Sequence, residues 1–462
     1  MFSTLTSLLG KCQLPLSKML GGSTVILLLF FPSLLRAACP DLSSYYPGAE
    51  PDWLAVEQRI NLFLPQCLDN SEYFALQGAA QLNSGKLAAA LESLERALLL
   101  DPANGAASVD YAEAMHQQGE LFTAIEINRQ LLQRRDIPAQ LQTALQQRQQ
   151  RWLASTRQNE LYLDLLAGYD DNLNGAPDQD QLTLTLAGQP IDLALSEELL
   201  AVSGPYLNMR FGGRHRRVEA DREHQFSGEL RGRGSEDSGS DLLQLSSEYT
   251  FTKPSRNKNW QMSTSLNHLV FGDNALFTGS SMSFRFQPGK SDTCRPHYNA
   301  ALQHQRFHQQ NRLDAREARV GVGINCLLGR PNKRTAVDFR QYMGIEIAGL
   351  RNTALDSSRL GGDRTGWQVS MNWQLLQSDR SWSAQVNHTA TNDENPYSIL
   401  LDNGAERRLG RSYLLLQYRQ NIGFLWDDTS FVVNLYHQQQ KSNIELFRTT
   451  DSSLELGIRL EF

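Results

Sequence analysis

Residues 167 to 177 read AGYDDNLNGAP, and within them Asp170-x-Asn172-x-Asn174-Gly175 matches the first half of a calcium loop of the EF-hand type. Oxygen donors at alternate positions suit a hard cation, and the glycine allows the sharp turn such a loop makes. The second half fails, because the position that needs a bidentate glutamate, the twelfth counted from Asp170, is Gln181. No metal is therefore expected here; the Asp and Asn side chains are expected to bond local backbone where the chain turns. His304 and His308 share strand parity and could ligate a metal, but two isolated histidines are the pattern of a solvated pair. Glycine-rich phosphate loops, HExxH, CxxC and the nucleophile elbow are all absent from the sequence. The chain reads as a protein without catalytic activity and without a cofactor.

Cysteine chemistry is more informative. The first 38 residues hold no acid, two early lysines (Lys11, Lys18) and a short apolar stretch that Pro32 and Arg36 interrupt. That is the make-up of a secretory signal peptide, too short for a spanning helix of about 20 apolar residues. Cys12 belongs to it, which leaves Cys39, Cys67, Cys294 and Cys326, an even number in an exported chain. Two disulfides are expected, paired by region as Cys39 with Cys67 and Cys294 with Cys326. Cleavage after Ala38 would place Cys39 first and open it to lipidation, which Arg36 disfavours because a lipobox wants an apolar residue there. Without Lys11, Lys18 and Arg36, 41 basic residues face 50 acidic ones, so nucleic acid is not an expected partner.

Two kinds of element must hold these residues. Over residues 39–158 the periodicity is helical, and Gly78, Gly85 and Ala90 recur 34 residues later as Ala112, Gly119 and Ala124. The first unit continues through Leu94 and Ala97 to Pro102; the second is weaker, with Asn128 and Asp136 at the matching places. Small residues let antiparallel helices approach, and the proline stops the second helix, so this stretch resembles a pair of tetratricopeptide repeats. An alanine-rich bundle without repeat geometry is the alternative.

From residue 159 to 462 the period changes to two. In GWQVSMNWQL, Trp367, Val369, Met371, Trp373 and Leu375 share one face and polar residues the other. Fourteen such stretches occur, separated by turns that alternate short and long, which predicts a fourteen-stranded antiparallel transmembrane barrel rather than a soluble sandwich. Glu346, Glu455, Glu461, Arg419 and Arg459 then face the lumen, and Tyr169 falls in the outer aromatic girdle. The final stretch SSLELGIRLEF puts Phe462 on the apolar face, resembling the signal that barrel assembly machinery reads. Strand parity sets Cys294 and Cys326 at one end of adjacent strands, within disulfide reach. In the loop after the first strand, the apolar run PIDLALSEELLAV is expected to form a lid or plug helix.

The fold class expected is thus a small all-α repeat domain (39–158) followed by a β-barrel (159–462). A signal peptide, short tetratricopeptide region, Tyr169-Asp170-Asp171-Asn172-x-Asn174 followed by Ala176 and Pro177, and a barrel closing at Phe462 together resemble the surface lipoprotein assembly modulator (Slam) family. The resemblance implies an outer-membrane factor that delivers lipoproteins, or in some members soluble haem- or metal-acquisition proteins, to the cell surface. It also implies a periplasmic repeat region and long loops outside. Expected partners are outer-membrane lipid, the assembly machinery and a lipoprotein or secreted cargo; no motif names cargo-contacting residues. Two other classes stay open: a host-interaction protein acting through its outer loops, and an exopolysaccharide export porin, which would ordinarily carry more repeats.

Overall fold

The computed structural model describes residues 38–46, 52–255, 258–289, 293–328, 340–423 and 428–462. The expected signal peptide lies outside the described residues except for Ala38, as does the start of the stretch expected to form a strand from residue 335. The chain divides into two compact units, one ending at Gly119 and one spanning Glu120–Phe462.

The first unit contains helices α1 (Trp53–Ile60), α2 (Ser71–Asn83), α3 (Leu87–Leu100) and α4 (Gly105–Gln118). Asn70 and Asn104 start α2 and α4 by accepting from Tyr73 N and Ala107 N, each at 2.9 Å. The two helices of the first repeat touch because Gly78 is bare: a Cβ there would lie 2.5 Å from Leu94 Cγ. Gly85 and Gly119 adopt positive φ at the ends of α2 and α4, where a side chain would be strained. Ala90, Ala97 and Ala112 are fully buried, and Pro102 follows the end of α3. The core of Leu76, Leu94, Tyr73 and Ile60 is capped by the Cys39–Cys67 disulfide.

The second unit begins with α5 (Leu121–Leu132) and α6 (Ala139–Ala154). Ala124 is buried on α5 as the repeat pattern predicts. Asn128, at the leucine position of the repeat, is also fully buried, yet it donates to Leu145 O and Gln149 and accepts from Arg148. The degenerate position is therefore a satisfied polar contact between α5 and α6.

Helix α6 passes through Ser155 and Thr156 into β1 (Arg157–Asp170), the first strand of a closed antiparallel barrel of fourteen strands. The others are β4 (Gly204–Val218), β5 (Glu223–Ser235), β6 (Leu242–Pro254), β7 (Lys258–Phe271), β8 (Asn274–Pro288), β9 (Cys294–Phe307), β10 (Ala315–Leu327), β11 (Arg340–Ala354), β12 (Arg364–Leu376), β13 (Arg380–Pro396), β14 (Glu406–Asn421), β15 (Thr429–Ser442) and β16 (Thr449–Glu461). Neighbours in sequence pair, and β16 closes on β1 from Tyr162↔Glu461 to Asp170↔Ser453. We call the end where β1 starts and β16 finishes proximal, the other distal. The distal end carries the connections 171–203, 355–363 and 397–405, and the proximal end has shorter ones such as 219–222 and 377–379.

Alternation places Leu207, Met209, Leu302, Val320, Ile347, Trp367 and Leu456 outward, where Leu207 is 70 % exposed. An exterior of this kind belongs against lipid. At its proximal rim Trp260 packs on Phe286 (4.4 Å) and Trp382 on Tyr418 (4.3 Å), forming part of an aromatic girdle. Cys294 and Cys326 face each other directly in the β9–β10 register and are bonded. One expectation fails. The run PIDLALSEELLAV forms no helix; Gln181–Leu186 (β2) and Gln189–Ala194 (β3) make a hairpin, and a 3-10 turn follows at Glu197–Leu199. Ala187 and Gly188 supply the two positive φ angles of its turn, and leucines alternate with threonines along β2. Period two outcompetes helical spacing once that turn forms.

Candidate functional site

The inner wall around the β1–β16 closure carries the chemistry. Asp164 points inward from β1 and is fully buried. Arg459 of β16 grips it through Nε and Nη2 at 2.6 and 2.8 Å, and Arg210 of β4 approaches at 3.2 Å. The Arg459 guanidinium also stacks on Tyr162, 4.3 Å from the ring centre, and the Tyr162 hydroxyl donates to Glu229. Four residues earlier on β16, on the same face, Glu455 accepts from Asn208 (2.5 Å), Asn434 (2.8 Å) and Tyr206 (3.1 Å), with Arg231 at 3.7 Å. Gly457 sits between these two clusters because β1 and β16 approach closely there; a Cβ would fall 2.0 Å from Leu165 O. Asp164 is held from β4 and β16, and Glu455 from β4, β5 and β15, so the network ties the strands on both sides of the closure together.

Proximal to this layer lies a lumenal cavity of about 1060 Å³, bordered by Tyr162, Arg214, Glu229, Glu248, Arg419 and Glu461. Arg419 pairs with Glu461 at 2.5 Å, and Arg214 with Glu160. Cationic and anionic groups are interleaved on its wall, an interior that hydrates well and favours neither sign. Glu346 faces the lumen farther round the barrel, bonded to His297 (2.9 Å) and Asn299 (3.2 Å). All five lumenal residues expected from parity therefore point inward.

The motif segment lies at the distal end of the same seam. Asp170 accepts from Asn172 N, and Asn172 accepts from Ala176 N while donating to Ala176 O and Thr450 O. Asn174 donates to Leu200 O and accepts from Val202 N, tying the start of the long loop to its end. Asp171 accepts from Ser452 N on β16. Tyr169 turns outward and is 55 % exposed. These side chains bond backbone, as their types suggest. The segment has no flanking helices, and Gln181 opens β2. A different acid set does assemble: Asp170, Asp171 and Asp451 bring carboxylate oxygens within 4.8 Å of one another, and Arg233 binds Asp170 at 3.1 Å. Among the described residues these three are what the chain offers a cation, and the guanidinium already offsets part of their charge.

Sequence reading missed Asp164, Arg210, Asn208 and Asn434. Asp164 was detectable as an acid set among leucines inside the alternating stretch LYLDLL. His308 shares the Thr278 hydroxyl with His268, each at 2.8 Å, while His304 is exposed on β9. Phe462 is 71 % exposed on the outer face and exchanges backbone bonds with Leu161.

Residues 81–148 match the tetratricopeptide repeat family model. No curated protein sequence matches the chain. Among solved structures, the chain is similar to a bacterial polysaccharide outer membrane secretin, at 9 % identity over 66 % of this chain and 98 % of that one, with a TM-score of 0.32. It is similar to a Pseudomonas aeruginosa FadL homologue at 8 % identity over 66 % and 90 % of the two chains, with a TM-score of 0.35. The Yersinia enterocolitica type III secretion translocator chaperone SycD aligns at 16 % identity with 22 % of this chain and 73 % of its own, with a TM-score of 0.21. Likenesses with TM-scores this low carry no argument about this chain. The chain joins a tetratricopeptide-repeat region to a closed barrel of fourteen strands with an apolar exterior.

Proposed function

We propose that the protein is an outer-membrane translocation or assembly factor that delivers lipoproteins or other secreted cargo to the bacterial surface. In this reading the repeat helices receive cargo in the periplasm, and the distal loops lie outside. What supports it most is the junction at Ser155 and Thr156, where α6 passes into β1 without a linker at the proximal end of the barrel, the end that holds the charge-lined lumenal cavity. Stacked helix pairs present a curved surface suited to extended peptide, and the mixed-charge interior suits transient contact. Deletion followed by surface labelling of candidate lipoproteins in intact cells tests the proposal. Reduced labelling of at least one candidate, restored by the intact gene, is expected; unchanged display of every candidate encoded nearby would sink it.

A host-interaction role is the second reading, favoured by the exposed apolar residues Ile191, Leu193 and Ile399 on the distal loops. Export of polysaccharide has no comparable feature in its favour, and the two repeats are few for it.

A further inference from the structure

The two edges of the β2–β3 hairpin differ. On the β2 side, Thr185 N donates to Leu400 O at 2.8 Å, Asn403 N reaches the Thr185 hydroxyl, and Leu184 bridges to Leu401, so the loop 397–405 occupies that edge. At the hairpin's root, Asp178 N donates to Arg448 O while the Asp178 carboxylate accepts from Thr450. The hairpin is therefore anchored on one side and at its base. All of β3, by contrast, is exposed.

The direction of its bonding groups follows from register. Leu195 N donates to Asp180 O inside the hairpin. Antiparallel pairs alternate, so the groups of Asp192 and Ala194 turn away from β2, together with the carbonyl of Pro190. Ile191 and Leu193 lie opposite Leu184 and Leu182 and extend one apolar face to this open edge. An exposed apolar edge strand is a template for another strand unless it is blunted by charged side chains, lysine above all, or by proline. Pro190 blunts only the turn end of β3, and the charge near the edge is of one sign: residues 171–203 contain Asp171, Asp178, Asp180, Asp192, Glu197 and Glu198 and no lysine or arginine. Asp180, Asp192, Glu197 and Glu198 are all exposed.

We infer that the β3 edge is a docking surface for an extended, basic polypeptide segment with alternating apolar residues, added to the hairpin as a third strand. Main-chain bonds to Asp192 and Ala194 hold the segment, its apolar residues continue the face of Ile191 and Leu193, and its lysines or arginines meet the acidic loop. Pro190 lacks an N–H and sets the turn-side limit of the pairing. The inference does not depend on cargo delivery.

The test uses the full chain in detergent and a short synthetic peptide alternating lysine and valine, labelled for fluorescence anisotropy. Saturable binding is expected. An N-methylated copy of the peptide, equal in charge but unable to pair, should bind about tenfold or more weakly, as should the chain carrying Asp192→Pro, since each loses a main-chain bond. Ile191→Ser with Leu193→Ser should weaken binding with the peptide unchanged. Equal binding of the N-methylated peptide would reduce the effect to bulk charge and overturn the inference. Self-association of the chain that Asp192→Pro abolishes, without peptide binding, would overturn it in favour of edge pairing between copies.

Discussion

The two units bury opposite things. In the unit ending at Gly119 the most deeply buried side chains are apolar, among them Ile60, Tyr73, Leu76, Ala90 and Leu94, with a small polar group of Gln77, Gln81 and Ser93 beside them. In the barrel Asp164, Asn208, Asn434 and Glu455 are buried while leucines and tryptophans face out. A helical repeat is held by apolar contact away from water, whereas the barrel puts its apolar surface against lipid and must satisfy a polar interior by pairing. Removing carbon should damage the first and removing charge the second.

The largest effect expected is for Asp164→Ala. It leaves Arg459 and Arg210 without their shared carboxylate and should destabilise the barrel by about 3–5 kcal/mol. Unfolding in denaturant, followed by the loss of heat-modifiable mobility on gels, would register it; a barrel as stable as the parent would show that the triad is dispensable. Leu94→Ala is the counterpart in the helices, at about 2–5 kcal/mol from the cavity left beneath Gly78. Helical ellipticity should melt earlier while barrel mobility stays unchanged, and a joint loss would break the distinction between the units.

Asn172→Ala should cost about 1–3 kcal/mol, because Ala176 N and Thr450 O lose a buried partner. Earlier proteolysis within 171–203 would report it with the barrel intact. The smallest effect concerns pH. Burial, with the Glu95 carboxylate accepting from its hydroxyl at 3.0 Å, pushes the Tyr111 phenol up to about 12. The fold favours the neutral phenol, so its contribution is complete below the ordinary value of 10.0 and is lost as pH rises toward 12. Tyr111→Phe should flatten the alkaline decline of the helical melting temperature and leave the neutral value nearly unchanged.

Much of this was legible in the sequence because period two is robust: the alternation of Trp367 to Leu375 fixes which face meets lipid, and the parity of Cys294 and Cys326 follows from it. The helical pattern was equally plain at Gly78 and Ala90, where packing demands small residues. What escaped reading depended on closure. Asp451 meets Asp170, and Arg459 meets Asp164, only once β16 lies beside β1, and nothing local announces either meeting. The β2–β3 hairpin escaped for another reason: Ala187 is a poor turn signal, and a run of leucines and alanines has strong helical propensity.

The Asp164–Arg459 contact spans 295 positions of sequence. Contacts of such range are slow to form, because the entropy of bringing distant segments together is lost before any bond repays it. Each neighbouring hairpin can assemble as it emerges, but Asp164, Asp171 and Asn172 wait for β16, and until then the edge of β1 and a charged inner wall stand open. The protein thus carries a late step in its own assembly, and the polar residues at the seam act as the latch that ends it.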